Sequence, residues 1–156
     1  MTPTMKRLTA ASAAICLATV AMAAGPYDNA ITARQSQMRL FAFNISQLGG
    51  MAKGAIPYDA KRAAAAAANL QSVARLDMTG AWPEGSDSFS FDNTAALPKI
   101  WDNLDDVGKK FGDLQAATDV MAAAAGTDLD SMKAALGQLG GACKACHKEY
   151  RKPKDE

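Results

Sequence analysis

Apolar residues recur at alternating spacings of three and four through most of the chain, which is the pattern of an amphipathic helix. The first such segment spans about 29–53, and Asp28 or Asn29 can cap its N-terminus. Arg34 is the only charged residue on the apolar face of this segment, so it needs a partner if the face is buried. The apolar stripe itself consists of Ile31, Met38, Phe41, Ile45, Leu48 and Ala52.

The same helical period continues in three further segments. The second spans about 58–77 and contains the alanine run Ala63–Ala68, which favours helix formation and close packing. An irregular stretch rich in glycine, serine, aspartate and proline follows from Thr79 to Leu97. The third helix is predicted over about 98–125 and the fourth from about Thr127 to Arg151. Four amphipathic helices without a strand pattern predict an all-α, antiparallel four-helix bundle.

The N-terminus has the pattern of a secretory signal peptide. A short basic region at residues 5–7 precedes the stretch Leu8–Ala24, which is rich in alanine, leucine and valine and has only serine and threonine as polar residues. Cleavage after Ala23, or one residue later, separates a signal peptide, residues 1–23, from a single domain, residues 24–156. An uncleaved anchor is disfavoured, because the run is shorter than the ~20 strongly apolar residues that a membrane-spanning helix prefers. We therefore expect export, with no stable membrane insertion after cleavage.

Charge and cysteine content narrow the function further. The chain has 17 Lys and Arg against 16 Asp and Glu, a formal net charge of +1, and no stretch has the clustered excess of cations that nucleic-acid binding requires. Cys16 is removed with the signal peptide, so only Cys143 and Cys146 remain in the domain. Neither cysteine belongs to a disulfide framework with distant partners.

Cys143 and Cys146, followed directly by His147, form the C-x-x-C-H sequence by which c-type haem is attached. In this motif the two thiols add to the haem vinyl groups and the imidazole ligates the iron. On a helix, steps of about 100° per residue place the three side chains within an arc of about 100°, so they can face one planar ligand. The sequence predicts one haem c (iron) per chain. Because bacteria attach haem c outside the cytoplasmic membrane, we expect a periplasmic protein.

The cysteine pair has three other interpretations. A zinc site could use both thiolates and His147, but this is the only histidine, and a carboxylate would have to complete four ligands. A thioredoxin-like dithiol needs its attacking thiol at a helix N-terminus, whereas these cysteines lie near the C-terminal end of the predicted helix. The third interpretation is a structural pair of core cysteines.

Four short segments along the whole predicted domain match one family. They are RQSQM at 34–38, KGAIPYD at 53–59, PKIW at 98–101, and GGA at 140–142 before the motif with YR at 150–151 after it. With these segments the chain resembles the class II c-type cytochromes, meaning cytochrome c prime and its low-spin relatives. The resemblance implies a four-helix bundle with the haem motif near its C-terminus, whereas class I cytochromes c carry the motif near the N-terminus.

The resemblance also places Met38 on the distal side of the haem, where low-spin members of the family ligate iron through methionine. Because His147 is the only histidine, a second axial ligand is methionine, lysine or nothing. We predict ligation by Met38, with packing near the haem as the alternative. Met51, Met121 and Met132 are predicted to fill the core.

Four further residues are predicted to line the haem pocket. Arg34 can donate a charge-assisted hydrogen bond to a haem propionate, the alternative being a surface arginine that extends to water. By resemblance, Arg151 flanks the proximal imidazole, although a cation at a helix C-terminus is an equal explanation. Phe41 and Trp82 can pack on the porphyrin, Trp82 matching an aromatic residue that begins the family's long loop, or they can belong to the bundle core.

The ligation state of Met38 decides the predicted function. If Met38 ligates, the protein is a low-spin electron carrier whose partners are redox proteins, because no coordination position is open. If Met38 stands off, the protein is five-coordinate and binds nitric oxide or carbon monoxide. We expect electron transfer, and no enzymatic activity because a distal acid–base histidine is absent. Since family members commonly pair, a homodimer through the first two helices is also expected.

Covalent attachment at Cys143 and Cys146 leads to the first prediction. Thioether bonds survive denaturation, so the periplasmic protein should retain its haem on a denaturing gel. The Cys143→Ala/Cys146→Ala double variant should lose it. Covalent haem on the double variant would show that the motif assignment is wrong.

Overall fold

The computed structural model describes residues 25–153, and the predicted signal peptide at residues 1–23 lies outside them. The described chain is helical, and its extended pairing is a single bridge between Ala96 and Arg151. Two short 3₁₀ turns, Thr79–Ala81 and Pro98–Asn103, lie between the second and third helices. The helices are α1 (Asp28–Ala52), α2 (Ala60–Ala74), α3 (Leu104–Ala124) and α4 (Leu129–Tyr150). The predicted all-α four-helix bundle is confirmed.

Contacts between helix ends show that α2, α3 and α4 run antiparallel in turn. Tyr58, just before α2, donates to the Ala125 carbonyl just after α3 over 2.9 Å, and Tyr150 at the end of α4 donates to Asp106 at the start of α3 over 2.6 Å. The Gln37 amide of α1 donates to the Val73 carbonyl near the end of α2, and Gln115 of α3 donates to the Ala74 carbonyl, each over 3.0 Å. At the start of α4, the Asp128 carboxylate accepts a hydrogen bond from the Ser131 N–H over 2.8 Å.

Several predicted helix ends differ from the structure. Asp28 does not cap α1: its carboxylate accepts from the Gly25 N–H over 2.6 Å, and Tyr27 holds the cap position without a side-chain bond. The cap of α4 is Asp128, one residue after the predicted Thr127. The predicted third helix divides into the 3₁₀ turn at Pro98–Asn103 and α3. The two helix starts differ from the prediction by one residue each, whereas α3 begins six residues late because residues 98–103 form the 3₁₀ turn.

The buried face of α1 includes polar residues besides the predicted apolar stripe, of which Ile31, Phe41 and Leu48 are buried. Gln37 and Asn44 are the buried amides, and both have partners on α2. Gln37 reaches the Val73 carbonyl, and Asn69 donates to the Asn44 side-chain oxygen over 3.1 Å. Met38 and Ile45 pack against the edge of the core. The fully buried side chains of the core include Leu48, Met51, Leu70, Met121, Met132 and Leu139, as predicted for the three methionines.

The alanine run of α2 packs largely inside the bundle. Ala63, Ala66 and Ala67 are buried in the core, so half of the run is covered by this chain itself. On α1, the large side chains of Leu40 and Phe43 are exposed. The homodimer through the first two helices stays a prediction, and these two residues, rather than the buried alanines, would supply its apolar contact area.

The segment between α2 and α3 closes one end of the bundle. Its last residues join the end of α4: Leu97 N–H donates to the Tyr150 carbonyl over 3.0 Å, and Lys152 N–H to the Ala95 carbonyl over 2.8 Å. Gly85 has φ +81°, a backbone conformation that favours glycine. Among residues 25–153, no helix is long and apolar enough to cross a membrane.

Burial in the core predicts the cost of truncating a leucine. Leu48 is fully buried, so Leu48→Ala should lower the free energy of unfolding by about 2–5 kcal/mol. Leu104 is 59% exposed, and Leu104→Ala should change it by no more than about 0.5 kcal/mol. Urea unfolding followed by circular dichroism measures both. Equal losses in the two variants would contradict this description of the core.

Candidate functional site

A cavity of about 500 Å³ opens between α1, the segment after α2, α3 and the end of α4. A smaller cavity of about 200 Å³ adjoins it, and Met38, Phe111, Cys146 and His147 border both. Spaces of this size are typical of sites for small molecules and cofactors.

All eight predicted site residues border this space. Those at the larger cavity are Arg34, Met38, Trp82, Cys146, His147 and Arg151. Those at the smaller cavity are Met38, Phe41, Cys143, Cys146 and His147. The structure therefore brings the predicted residues together, while the role of each stays a prediction.

The C-terminal turns of α4 carry the reactive groups. Cys143 and Cys146 are half-buried free thiols, and burial raises the pKa of both. His147 follows directly, and its pKa is lowered by desolvation and, to a smaller extent, by the charge of Arg151. Since the three side chains share one edge of the cavities, a planar ligand held by both sulfurs lies within reach of the imidazole.

Arg34 is a buried cation, 3% exposed, that ties α1 to the segment after α2. Its guanidinium donates to Ser86 Oγ over 2.7 Å and to Thr94 Oγ1 over 2.8 Å, and also to the carbonyls of Ala81 and Ser86. All four acceptors are neutral. Burial lowers the pKa of Arg34, and the nearby Asp87 charge opposes that shift. Arg34 is therefore not a surface arginine that extends to water, and a buried cation beside a cavity favours an anionic group there.

Aromatic side chains form one wall of the larger cavity. The Arg34 guanidinium lies 4.9 Å from the centroid of the Trp82 ring, a cation–π contact. Trp82 in turn meets Phe111 edge to face, with centroids 6.4 Å apart. The Trp101 indole N–H donates to the Trp82 carbonyl over 3.0 Å. Trp82 is thus fixed at the cavity by its ring and its backbone.

The end of α4 is fixed as well. The Arg151 N–H donates to the His147 carbonyl over 3.2 Å, and Arg151 pairs with Ala96 in the single bridge. One residue earlier, the Tyr150 hydroxyl donates to Asp106 Oδ2 over 2.6 Å. This hydrogen bond raises the pKa of Tyr150 to about 12.

Part of the lining carries no sequence signal. Thr94, Ala95 and Ala96 border the larger cavity although they lie in the irregular stretch, where no period predicts burial. Arg39 borders the larger cavity and Lys110 the smaller one. Arg39 follows Met38 directly and so lies about 100° further around the helix, which gives no reason to expect it at the same cavity.

Comparison with known proteins decides the family. A model of the family described as Cytochrome C' matches residues 29–151, nearly all of the described chain. This chain belongs to the cytochrome c' family. A cytochrome c-554 of Cereibacter sphaeroides is 41% identical over 124 residues, covering 80% of this chain and 93% of the relative.

Solved structures of cytochrome c' show the same fold. The cytochrome c' of Rhodobacter sphaeroides superposes with a TM-score of 0.80 at 31% identity, covering 83% of this chain and 100% of the other. A ferrous variant of the cytochrome c' of Alcaligenes xylosoxidans, solved with bound NO, has a TM-score of 0.71 at 32% identity, covering 81% and 96%. The predicted class II cytochrome fold is confirmed.

As a member of the cytochrome c' family, the chain binds covalently attached haem c. The residues present fit this group: two half-buried thiols and an imidazole lie on one face of α4 at the edge of a cavity. The buried Arg34 fits a propionate of the same group. A zinc site needs four ligands, and residues 25–153 contain no cluster of three or more His, Cys, Asp or Glu.

The hydrogen bond of Tyr150 predicts a change of stability in alkali. The folded protein keeps the phenol proton up to about pH 12, whereas the unfolded chain releases it near about pH 10. The hydrogen bond therefore makes its full contribution to the free energy of unfolding below about pH 10. This contribution is lost as the pH rises to about 12. Tyr150→Phe should reduce the loss, measured as the urea midpoint against pH. Identical pH profiles for both proteins would contradict the contact.

Proposed function

We propose that this haem c protein binds a diatomic gas, nitric oxide or carbon monoxide, with His147 as the one protein ligand of the iron. The observation that carries the proposal is the smaller cavity, which adjoins the Cys143–His147 turn and is lined mostly by apolar side chains. Phe41, Ile45 and Phe111 are among them. Such a wall admits small neutral molecules and offers them few hydrogen bonds.

The haem iron, when bound, supplies the metal that takes a diatomic ligand. Residues of this chain would hold the haem in place for this binding. Cys143 and Cys146 would hold the group covalently, and His147 would ligate its iron. Arg34 would place its positive charge beside a propionate, while its bonds to Ser86 and Thr94 keep the segment after α2 in place. Phe41 and Phe111 would limit the space in the smaller cavity and exclude water from it.

A solved relative supports the proposal. The cytochrome c' of Alcaligenes xylosoxidans, 32% identical to this chain, has been solved in a ferrous form with bound NO. Because no histidine besides His147 is available as a distal acid–base group, we also propose that the protein is a binder rather than an enzyme. We place it in the periplasm, on the basis of the signal-peptide pattern at residues 1–23 and the export that covalent haem attachment requires.

Electron transfer with His147 and Met38 as axial ligands is the second candidate function. One observation favours it: Met38 borders both cavities, whereas Met51, Met121 and Met132 are fully buried in the core. A thioether on the iron raises the potential and closes the coordination position to gas. In that case redox proteins are the partners.

Optical spectra with and without carbon monoxide separate the two functions. The proposal predicts a broad high-spin spectrum for the reduced protein that shifts when carbon monoxide is added. A sharp low-spin spectrum that carbon monoxide does not change would overturn gas binding and support electron transfer.

The Met38→Ala variant identifies the residue responsible. If Met38 ligates, its removal should convert a low-spin iron to high spin, lower the potential and create carbon monoxide binding. If Met38 only packs, the spectrum should keep its form, and carbon monoxide should bind more tightly because distal crowding is relieved. Met121→Ala is the control: it should cost about 2–5 kcal/mol of stability yet leave the spectrum unchanged. Circular dichroism checks that each variant is folded.

A further inference from the structure

Tyr150 and Asp106 form a contact that none of the roles above requires. Tyr150 lies three residues after His147, is 5% exposed and borders the larger cavity. Its hydroxyl donates to Asp106 Oδ2 over 2.6 Å, a short hydrogen bond to a charged acceptor. Asp106 stands in the first turn of α3, so this bond joins the start of α3 to the last turn of α4.

The Tyr150 side chain and backbone are held from three directions. Besides the bond to Asp106, the Lys99 ammonium lies 5.7 Å from the ring centroid, and the Tyr150 carbonyl accepts from the Leu97 N–H over 3.0 Å. Asp106 itself is fixed by Lys110, whose ammonium lies 3.4 Å from the same carboxylate oxygen. Lys110 borders the smaller cavity.

Such anchoring matters because helix ends fray. The last carbonyls of α4 have no partners within the helix, and the last turn opens most easily unless tertiary contacts hold it. His147 belongs to that turn. A residue that ligates a metal depends on outer contacts for its orientation, and these contacts tune the metal.

We propose that Tyr150 and Asp106 act as a pair of positioning residues that fix the last turn of α4 against α3, and thereby set the orientation of the His147 imidazole towards the iron. The proposal rests on His147 as the axial ligand and holds for either state of the distal side. Asp106 stands in the first turn of the neighbouring helix α3. The proposal gives this residue an indirect effect on the His147 side of the haem.

Electron paramagnetic resonance of the ferric haem-loaded protein tests the proposal, because its g values respond to the orientation of an axial imidazole in high-spin and low-spin iron alike. Tyr150→Phe and Asp106→Ala each remove the hydrogen bond, and both should shift the g values in the same direction. The double variant should shift them no further than the larger single change. Asp106→Asn keeps an acceptor and should lie nearer to the wild type.

Asp105→Asn is the matched control. It removes the neighbouring carboxylate from the same first turn of α3, and Asp105 is exposed. Its g values should equal those of the wild type, since the Tyr150 hydroxyl donates to Asp106 and not to Asp105.

Three results would overturn the proposal: wild-type g values in folded, fully loaded Tyr150→Phe and Asp106→Ala, additive shifts in the double variant, or an equal shift in Asp105→Asn. If Tyr150→Phe does not load haem, the Asp106→Ala and Asp106→Asn pair decides alone, because Asp106 is partly exposed and its replacement leaves the core intact. The wild-type spectrum fixes the coordination of the iron first, so failure of the proposed gas binding is recognised separately.

Discussion

The structure depends on a division of the four-helix bundle into two ends. One end packs tightly, and the other end holds a large planar group. In the packed half, Leu48, Met51 and Met121 are fully buried among small alanines of α2. In the other half, Met38, Ile45 and Phe111 are only half-buried and face the cavities. Burying apolar surface contributes about 25 cal/mol per Å², so these side chains favour an apolar ligand laid against them. The haem is thus part of the core in energetic terms.

Polar contacts hold the walls of the cavity where apolar packing is incomplete. Arg34 joins α1 to the segment after α2, and the bridge between Ala96 and Arg151 joins that segment to α4. Each of these contacts fixes the position of a backbone segment that carries a side chain of the cavity wall. Because a buried guanidinium left without acceptors is costly, Arg34 makes the position of Ser86 and Thr94 nearly obligatory. The irregular segment is therefore as much a part of the site as the helices are.

Helix number, helix type and the haem motif could be predicted from sequence because they depend on local periodicity and on three adjacent chemical groups. The burial of Gln37 and Asn44 on α1 could not be predicted, since it depends on the partners that α2 offers, the Val73 carbonyl and the Asn69 amide. The partners of Arg34 lie about fifty residues away in a stretch without any period. Long-range polar pairing of this kind leaves no pattern in the chain.

The same limit applies to function. Met38 borders the space that His147 borders, as the family resemblance implied, yet adjacency does not decide between a bond to iron and simple packing. The two states differ in whether the Met38 sulfur donates to the iron. That bond separates the two proposed functions, electron carrier and gas binder.

Iron-edge anomalous diffraction from crystals of the haem-loaded protein locates the iron relative to the cavities. We predict one iron peak per chain at the boundary shared by the two cavities, beside the His147 imidazole and facing Met38, with the porphyrin joined to Cys143 and Cys146. An iron peak elsewhere, or a His147 side chain turned away from it, would show that the haem does not occupy these cavities.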